Sequence, residues 1–122
     1  MSLEFLSASA VDAVARSPME RQARAAGARF EVRDGWNVAV AFDGEDEALR
    51  SVGFADCSHV RKYELQGELP ALDFGQATVD GDSTWLPLTR SRALVLGGEP
   101  PAGALDLTTA YGALRLAGPL AR

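Results

Sequence analysis

Apolar spacing and capping signals mark two early helices. Between residues 7 and 16 the apolar positions recur at helical spacing and predict a short first helix over 7–16. Residues 17–20, Ser-Pro-Met-Glu, combine an N-cap serine, a proline in the first turn and a glutamate three residues after the serine. This capping-box arrangement predicts a second helix that runs to residue 25 or 26 and ends at Gly27.

Alternation of polar and apolar residues then replaces the helical spacing. Segments 29–33 and 37–42 both alternate, and Asp34-Gly35 between them favours a tight turn because glycine accepts positive φ. We therefore predict a β-hairpin. An acidic run, Glu-Asp-Glu, comes next and suits a helix N-terminus, so we expect a third helix that ends at Gly53.

The second half of the chain has the pattern of short strands separated by turns. Segments 66–76 and 97–103 are interrupted by glycine and proline and predict irregular connections. The predicted strands are 55–57, 60–65, 84–89, 92–96 and a pair formed by 105–108 and 113–116. The expected fold class is α+β, with short helices early and an antiparallel-rich sheet.

The amino-acid composition restricts the classes of protein to which the chain can belong. The chain has 122 residues, enough for a single domain, and its 47% hydrophobic and 24% charged residues are ordinary for a globular protein. A net charge of −5 without a basic run argues against nucleic acid and anionic membranes as partners. The one cysteine, Cys57, cannot form an internal disulfide. With no signal-peptide pattern and no membrane-length apolar run, we expect a cytoplasmic protein.

The most distinctive segment runs from Gly53 to Gly67. Its sequence is Gly-Phe-Ala-Asp-Cys-Ser-His-Val-Arg-Lys-Tyr-Glu-Leu-Gln-Gly. Asp56, Ser58 and His59 are the residue types of a serine hydrolase triad. Adjacent residues of a strand point to opposite faces, however, which disfavours a pair between the serine and the histidine.

Three other interpretations of the same residues stay open. Cys57 and His59 would share one face of a strand, but the chain has no other Cys or His, and structural zinc sites use four such ligands, so we assign no metal. A reactive Cys57 thiol is a second interpretation, although a buried inert thiol is commoner. In the third, Asp56 and Ser58 cap backbone N–H groups at a helix-to-strand turn, and His59 is part-buried.

In order and spacing, residues 53–67 resemble the "glycine, Phe-Asp-x-Ser-His-x, basic, x-Glu-x-x-Gly" signature of one family. These are the folate-dependent aminomethyltransferases (glycine-cleavage T-proteins) and their relatives. Further landmarks look like those of the family and follow in the same order; they are the Ser-Pro-Met start and Gly-Ala end of 17–28, Gly35-Trp36, the helix at 47–50, and the Asp-Leu-Thr and Gly-Pro-Leu-Ala-Arg motifs of 106–122.

One region departs from the catalytic members of that family. T-proteins carry a Gly-Gly-hydrophobic-Asp-Asp stretch that supplies the catalytic carboxylate. Here residues 79–88 contain no Asp-Asp pair, and Asp80 and Asp82 adjoin a glycine in a predicted turn. Residues 84–97 look closer to the gamma subunit of heterotetrameric sarcosine oxidase, which shares the fold without known catalytic residues. We therefore assign no catalytic residue.

The resemblance implies a single domain similar to the N-terminal folate-binding-type domain of aminomethyltransferases. It covers residues 17–122, after an N-terminal segment 1–16, and the family likeness is expected to continue past the chain end. It implies that Asp56, His59 and Val60 contact a folate cofactor, tetrahydrofolate. Aromatic side chains could stack on its pteridine ring, although a core role is their default; they are Trp36, Trp85, Tyr63 and Tyr111.

Two functions follow from the resemblance. The first is a non-catalytic domain similar to the sarcosine oxidase gamma subunit, acting as a subunit or interaction module in one-carbon metabolism. The alternative is a tetrahydrofolate-dependent aminomethyltransferase, or a fragment of one. An apolar sheet face left uncovered would need a partner subunit or a second copy, so we expect an oligomer.

Overall fold

The computed structural model describes residues 13–121. The chain divides into two compact units. The first unit holds the residues up to Asp56 together with the segment that starts at Arg115, and the second unit holds Cys57–Leu114. The prediction that residues 1–122 form a single domain stays a prediction.

The first unit contains two small sheets and two short helices. Strand β1 (Ala15–Arg16) pairs in parallel with β3 (Trp36–Ala41), and β2 (Arg29–Arg33) pairs with β3 in antiparallel fashion. Strands β4 (Gly53–Asp56) and β10 (Leu114–Ala117) form a separate two-stranded sheet. The helices are α1 (Glu20–Ala25) and α2 (Glu45–Ala48).

Helix α1 ends as the sequence predicts but begins differently. Gly27 has φ of 78°, and the amide of Ala28 donates to the carbonyl of Ala23, which together form a Schellman C-cap. At the other end the capping box is not formed. The Ser17 hydroxyl accepts from the amide of Met19, and the Glu20 carboxylate instead pairs with Arg24 at 2.8 Å.

The β2–β3 hairpin confirms the predicted turn. Asp34 and Gly35 have φ values of 48° and 77°, and Arg33 pairs with Trp36 across the two-residue loop. Two consecutive positive φ values characterise the type I′ turn, whose twist matches that of the paired strands. The dipeptide therefore fixes the register of the hairpin.

Two helix predictions differ from the described residues of the first unit. The helix predicted over 7–16 lies outside the described residues as far as residue 12, and beyond it the chain forms β1 instead. Helix α2 stops at Ala48, before the predicted end. Gly53 does not end it, because this glycine is the first residue of β4 and lacks positive φ. Leu49 and Val52 are exposed, so no buried apolar stripe extends the helix.

The second unit is a five-stranded sheet. Its strand order is β6-β7-β8-β5-β9, and each pair of neighbouring strands is antiparallel. The strands are β5 (Lys62–Gln66), β6 (Thr78–Asp80), β7 (Ser83–Thr89), β8 (Arg92–Leu96) and β9 (Leu105–Asp106). Its buried apolar residues are Tyr63, Ala93 and Val95, which lie on the neighbouring strands β5 and β8.

The antiparallel-rich α+β class is confirmed, with local corrections. The irregular connections at 67–77 and 97–104 and the strands β7 and β8 agree with the prediction. The strands at 105–106 and 114–117 do not pair with each other, because β9 pairs with β5 and β10 with β4. Tyr63 is a core residue, whereas Trp36 and Trp85 are half-buried and Tyr111 is exposed.

Neither of the helices found between residues 13 and 121 is long and apolar enough to cross a membrane.

Candidate functional site

The residues with the strongest sequence signal form a tight turn. Residues 57–60, which we call the central turn, lie between β4 and β5, and the amide of Val60 donates to the carbonyl of Cys57 at 2.9 Å. The sequence placed the end of one strand at 57 and the start of the next at 60. The strands are shifted to 53–56 and 62–66, so Cys57 and His59 do not share a strand face.

Ser58 is a structural residue of this turn. Its side chain is buried, with 1% of its surface exposed, and its Oγ accepts from the amide of Ala113 at 3.1 Å. The carbonyl of Ala113 in turn accepts from the amide of Cys57 at 2.8 Å. The sequence suggested that Ser58 caps a backbone N–H group at a helix-to-strand turn. The turn instead lies between two strands, and the N–H group that donates to Ser58 belongs to the distant residue Ala113. A hydroxyl buried in this way does not suit a hydrolase nucleophile.

Lys62 holds the central turn from inside the second unit. Its side chain is 5% exposed, and its Nζ donates to the carbonyl oxygens of Ser58, Val60 and Thr108 at 2.8, 2.7 and 3.3 Å. The backbone amide of Lys62 also donates to Thr108 Oγ1 at 3.0 Å. One residue therefore connects the turn, β5 and the segment that follows β9.

Asp106 belongs to the same set of hydrogen-bonded residues as Lys62 and Thr108. The hydroxyl and then the amide of Thr108 donate to the Asp106 carboxylate and lower its pKa below the usual aspartate value, and the charges of Arg61 and Lys62 act in the same direction. An ionised carboxylate accepts such hydrogen bonds more strongly than a neutral one. Asp106 therefore stays ionised and supplies negative charge near the buried ammonium group.

The three predicted cofactor contacts lie within five consecutive residues of the chain. Asp56 is the last residue of β4, and His59 and Val60 belong to the central turn; all three side chains are half-buried. Their assignment to a folate cofactor stays a prediction. Cys57 is half-buried and a free thiol. Among the described residues, no group of three or more His, Cys, Asp or Glu side chains is arranged to hold a metal ion.

A small cavity lies elsewhere in the second unit. It has a volume of about 210 Å³ and is lined by Leu69 to Leu72 and Phe74, together with Pro87, Thr89 and Arg90. Pockets for drug-sized ligands usually measure about 300–1,000 Å³. The cavity is smaller than that range, and Asp56, His59 and Val60 are not part of its lining.

Asp80 and Asp82 lie where the sequence analysis expects them. Asp80 pairs with Ser83 at the end of the β6–β7 hairpin, and Gly81, with φ of 57°, forms the turn with Asp82. Both carboxylates are exposed. The predicted turn is confirmed.

Sequence reasoning missed the most constrained residues of the site, Lys62 and Thr108. One signal was available for the first, because Lys62 is the only lysine of the chain and every other basic residue is arginine or His59. Thr108 carried no such signal. It contacts Lys62 across 46 positions, and local sequence patterns do not report a contact at that separation.

Comparison with known proteins shows which of them the chain is similar to. No family model matches the chain. A stretch of 57 residues is 44% identical to an aminomethyltransferase of Picosynechococcus sp., and this match covers 43% of the chain and 16% of that protein. The chain resembles the aminomethyltransferase family.

The fold of this aminomethyltransferase-like chain agrees with the sequence match. The crystal structure of glycine cleavage system aminomethyltransferase T from Bartonella henselae superimposes with a TM-score of 0.64 and 18% sequence identity. The superposition covers 88% of this chain and 42% of that one. The predicted fold is therefore confirmed. The chain spans less than half the length of either aminomethyltransferase that it matches.

Proposed function

We propose that the chain is a non-catalytic aminomethyltransferase-like domain. It serves as a subunit or interaction module in one-carbon metabolism. This is the role that the resemblance to the gamma subunit of sarcosine oxidase implies. Two features of the described residues support the proposal: the position of the acidic residues, and the apolar side chains left uncovered in each unit.

The observation that carries the proposal is the exposure of Asp80 and Asp82. These are the carboxylates nearest in sequence to the acidic pair of the catalytic members, and both lie on the open β6–β7 turn. A catalytic carboxylate is normally held in a concave site beside the reacting groups. An exposed turn provides no such enclosure, which favours a domain that does not itself transfer the aminomethyl group.

Uncovered apolar side chains support a role in assembly. In the first unit Phe54 and Leu116, from the paired strands β4 and β10, have 65% and 62% of their surface exposed. In the second unit Val79 and Leu105 are exposed on the two edge strands. Single exposed apolar residues are ordinary, but several on short sheets suit contact with a partner chain or a second copy.

Light scattering of the purified chain tests the subunit role. Across a concentration series we expect a mass above the monomer value of 12.9 kDa. Phe54→Glu should lower that mass, because a charge would be buried in the interface. Gln22→Glu, an exposed polar substitution in the same unit, is the control. A monomer mass at every concentration would contradict self-association and leave only a partner of different sequence.

The alternative is a tetrahydrofolate-dependent aminomethyltransferase, or part of one. The 44% identity over 57 residues with an enzyme named aminomethyltransferase favours it. In this case Asp56, His59 and Val60 would contact the cofactor, and Asp80 and Asp82 would be the first candidates for the catalytic carboxylate. Saturable binding of tetrahydrofolate would separate the two hypotheses, since only the alternative requires it.

A further inference from the structure

Lys62 stands apart from every other cation of the chain. The sequence contains twelve Lys and Arg residues, and Lys62 is the only lysine among them. It is also buried, whereas lysine side chains almost never are unless they are paired. A chain that otherwise uses arginine has a lysine at a position where the cation is enclosed by backbone carbonyl groups.

The chemistry of the enclosure explains the choice of residue. Three carbonyl oxygens, those of Ser58, Val60 and Thr108, accept hydrogen bonds from Nζ. An ammonium group has three donors on one compact atom, whereas a guanidinium group is planar and presents its donors in a rigid fork. Acceptors that converge on one point therefore suit lysine and not arginine.

Two of these bonds act directly on the central turn. The carbonyl groups of Ser58 and Val60 flank His59 on either side along the backbone. Because both accept from the same atom, the peptide groups around His59 are fixed relative to each other. The third bond, to Thr108, fixes this pair relative to the segment that follows β9.

We propose that the ammonium group of Lys62 is the positioning group of the central turn. It holds the backbone on both sides of His59, and so sets where the His59 and Val60 side chains lie. The use of those side chains for folate contact rests on the family resemblance. The positioning itself does not, and it holds for either function proposed above.

The test uses two residues that each occur once in the chain. His59 is the only histidine, so its ring gives one set of NMR signals, and Lys62 gives one ammonium signal. In the native protein we expect the Lys62 ammonium protons to exchange slowly with water. An ammonium signal that exchanges as fast as that of free lysine would overturn the proposal, and this measurement needs no variant.

Two substitutions separate positioning from general stability. Lys62→Arg keeps the charge and Lys62→Ala removes it, and both should shift the His59 ring signals in protein that is still folded by circular dichroism. Arg90→Ala, which removes an exposed cation from the β7–β8 turn, should leave those signals in place. Native His59 signals in a folded Lys62→Ala protein would overturn the proposal.

Chemical rescue completes the test. Ethylammonium added to Lys62→Ala should return the His59 signals toward their native positions, because it supplies an ammonium group to the same three carbonyl oxygens. Tetramethylammonium has no N–H donor and should not. A shift that ethylammonium fails to reverse would contradict a role for the ammonium group itself. Folate takes no part in these measurements, so their outcome is independent of folate binding.

Discussion

The Ser58 hydroxyl and the backbone of Ala113 are joined across 55 positions of the chain. Ser58 Oγ accepts from the Ala113 amide at 3.1 Å, and the Ala113 carbonyl accepts from the neighbouring Cys57 amide at 2.8 Å. These two bonds tie the central turn to the segment before β10. The serine of the family-like signature is therefore a structural residue in this chain.

Removal of that hydroxyl should destabilise the second unit. Ser58→Ala leaves the part-buried Ala113 amide without its side-chain acceptor, and we expect a loss of about 1–3 kcal/mol in the free energy of unfolding. Urea denaturation followed by circular dichroism measures it. The control is Ser91→Ala, at an exposed turn position. Equal stability of the two variants would show that the bond to Ala113 contributes nothing.

The Glu64 carboxylate predicts an acid-dependent loss of stability. Glu64 is buried on β5, and hydrogen bonds from Arg92 (Nε at 2.9 Å) and then from Gln66 lower its pKa below the usual glutamate value. A lowered folded-state pKa means that this stabilisation is present above the unfolded-state pKa. It is lost as the pH falls below about 4 toward the folded-state value.

We therefore expect the urea midpoint to fall between about pH 4 and the folded-state pKa in the native protein. In Glu64→Gln this part of the pH dependence should be absent, and stability at pH 7 should be lower because the ion pair with Arg92 is gone. Glu99→Gln, at an exposed loop position, is the matched control. If Glu64→Gln kept the native pH profile, other carboxylates would have to account for it.

Gly35 has a positive φ and Gly53 does not, and an alanine substitution at each position should show the difference. Gly35 has φ of 77° in the hairpin turn, where an L-residue costs about 1–2 kcal/mol, so Gly35→Ala should be destabilising by that amount. Gly53 has no positive φ, and an added Cβ would meet Leu49 Cδ2 at 3.4 Å. Gly53→Ala should change the stability by less than about 0.5 kcal/mol.

Thermal denaturation of both variants measures the difference. A large loss of stability in Gly53→Ala, similar to that in Gly35→Ala, would instead support the prediction from the sequence that Gly53 ends a helix.

The fold was predictable where the signal is local. The Asp34-Gly35 turn, the end of α1 at Gly27 and the strands β7 and β8 all follow from residues within a few positions of one another. The third predicted helix, expected to end at Gly53, stops at Ala48 because apolar spacing alone does not stabilise a short helix without a surface to pack on. In the described part of the first predicted helix, residues 15–16 form a strand.

The candidate site was predictable only in part. The residues of segment 53–67 were identified, but their conformation depends on contacts that span 46 to 55 positions. Ser58 and Lys62 reach Ala113 and Thr108 across the second unit, and no periodicity links those positions. For that reason the sequence predicted one strand up to Cys57 and another from Val60, whereas residues 57–60 form a turn.

The exposed carboxylates of the β6–β7 turn should be dispensable for folding. Asp80→Asn and Asp82→Asn remove charges from solvated positions, so each should change the unfolding free energy by less than about 0.5 kcal/mol. Chemical denaturation of the single and double variants measures this. The double variant also removes both candidate catalytic acids at once. Any enzymatic activity of the native chain can therefore be compared directly with that of this variant. A loss of activity in a folded double variant would contradict a non-catalytic role.

Calorimetric titration of the purified chain with tetrahydrofolate tests the central claim most directly. A non-catalytic aminomethyltransferase-like module predicts no saturable heat at micromolar ligand, with a full-length aminomethyltransferase titrated alongside as the positive control. Saturable binding that His59→Ala weakens would contradict the claim. It would show that Asp56, His59 and Val60 border a working folate site, and the chain would then be a one-carbon transferase or part of one.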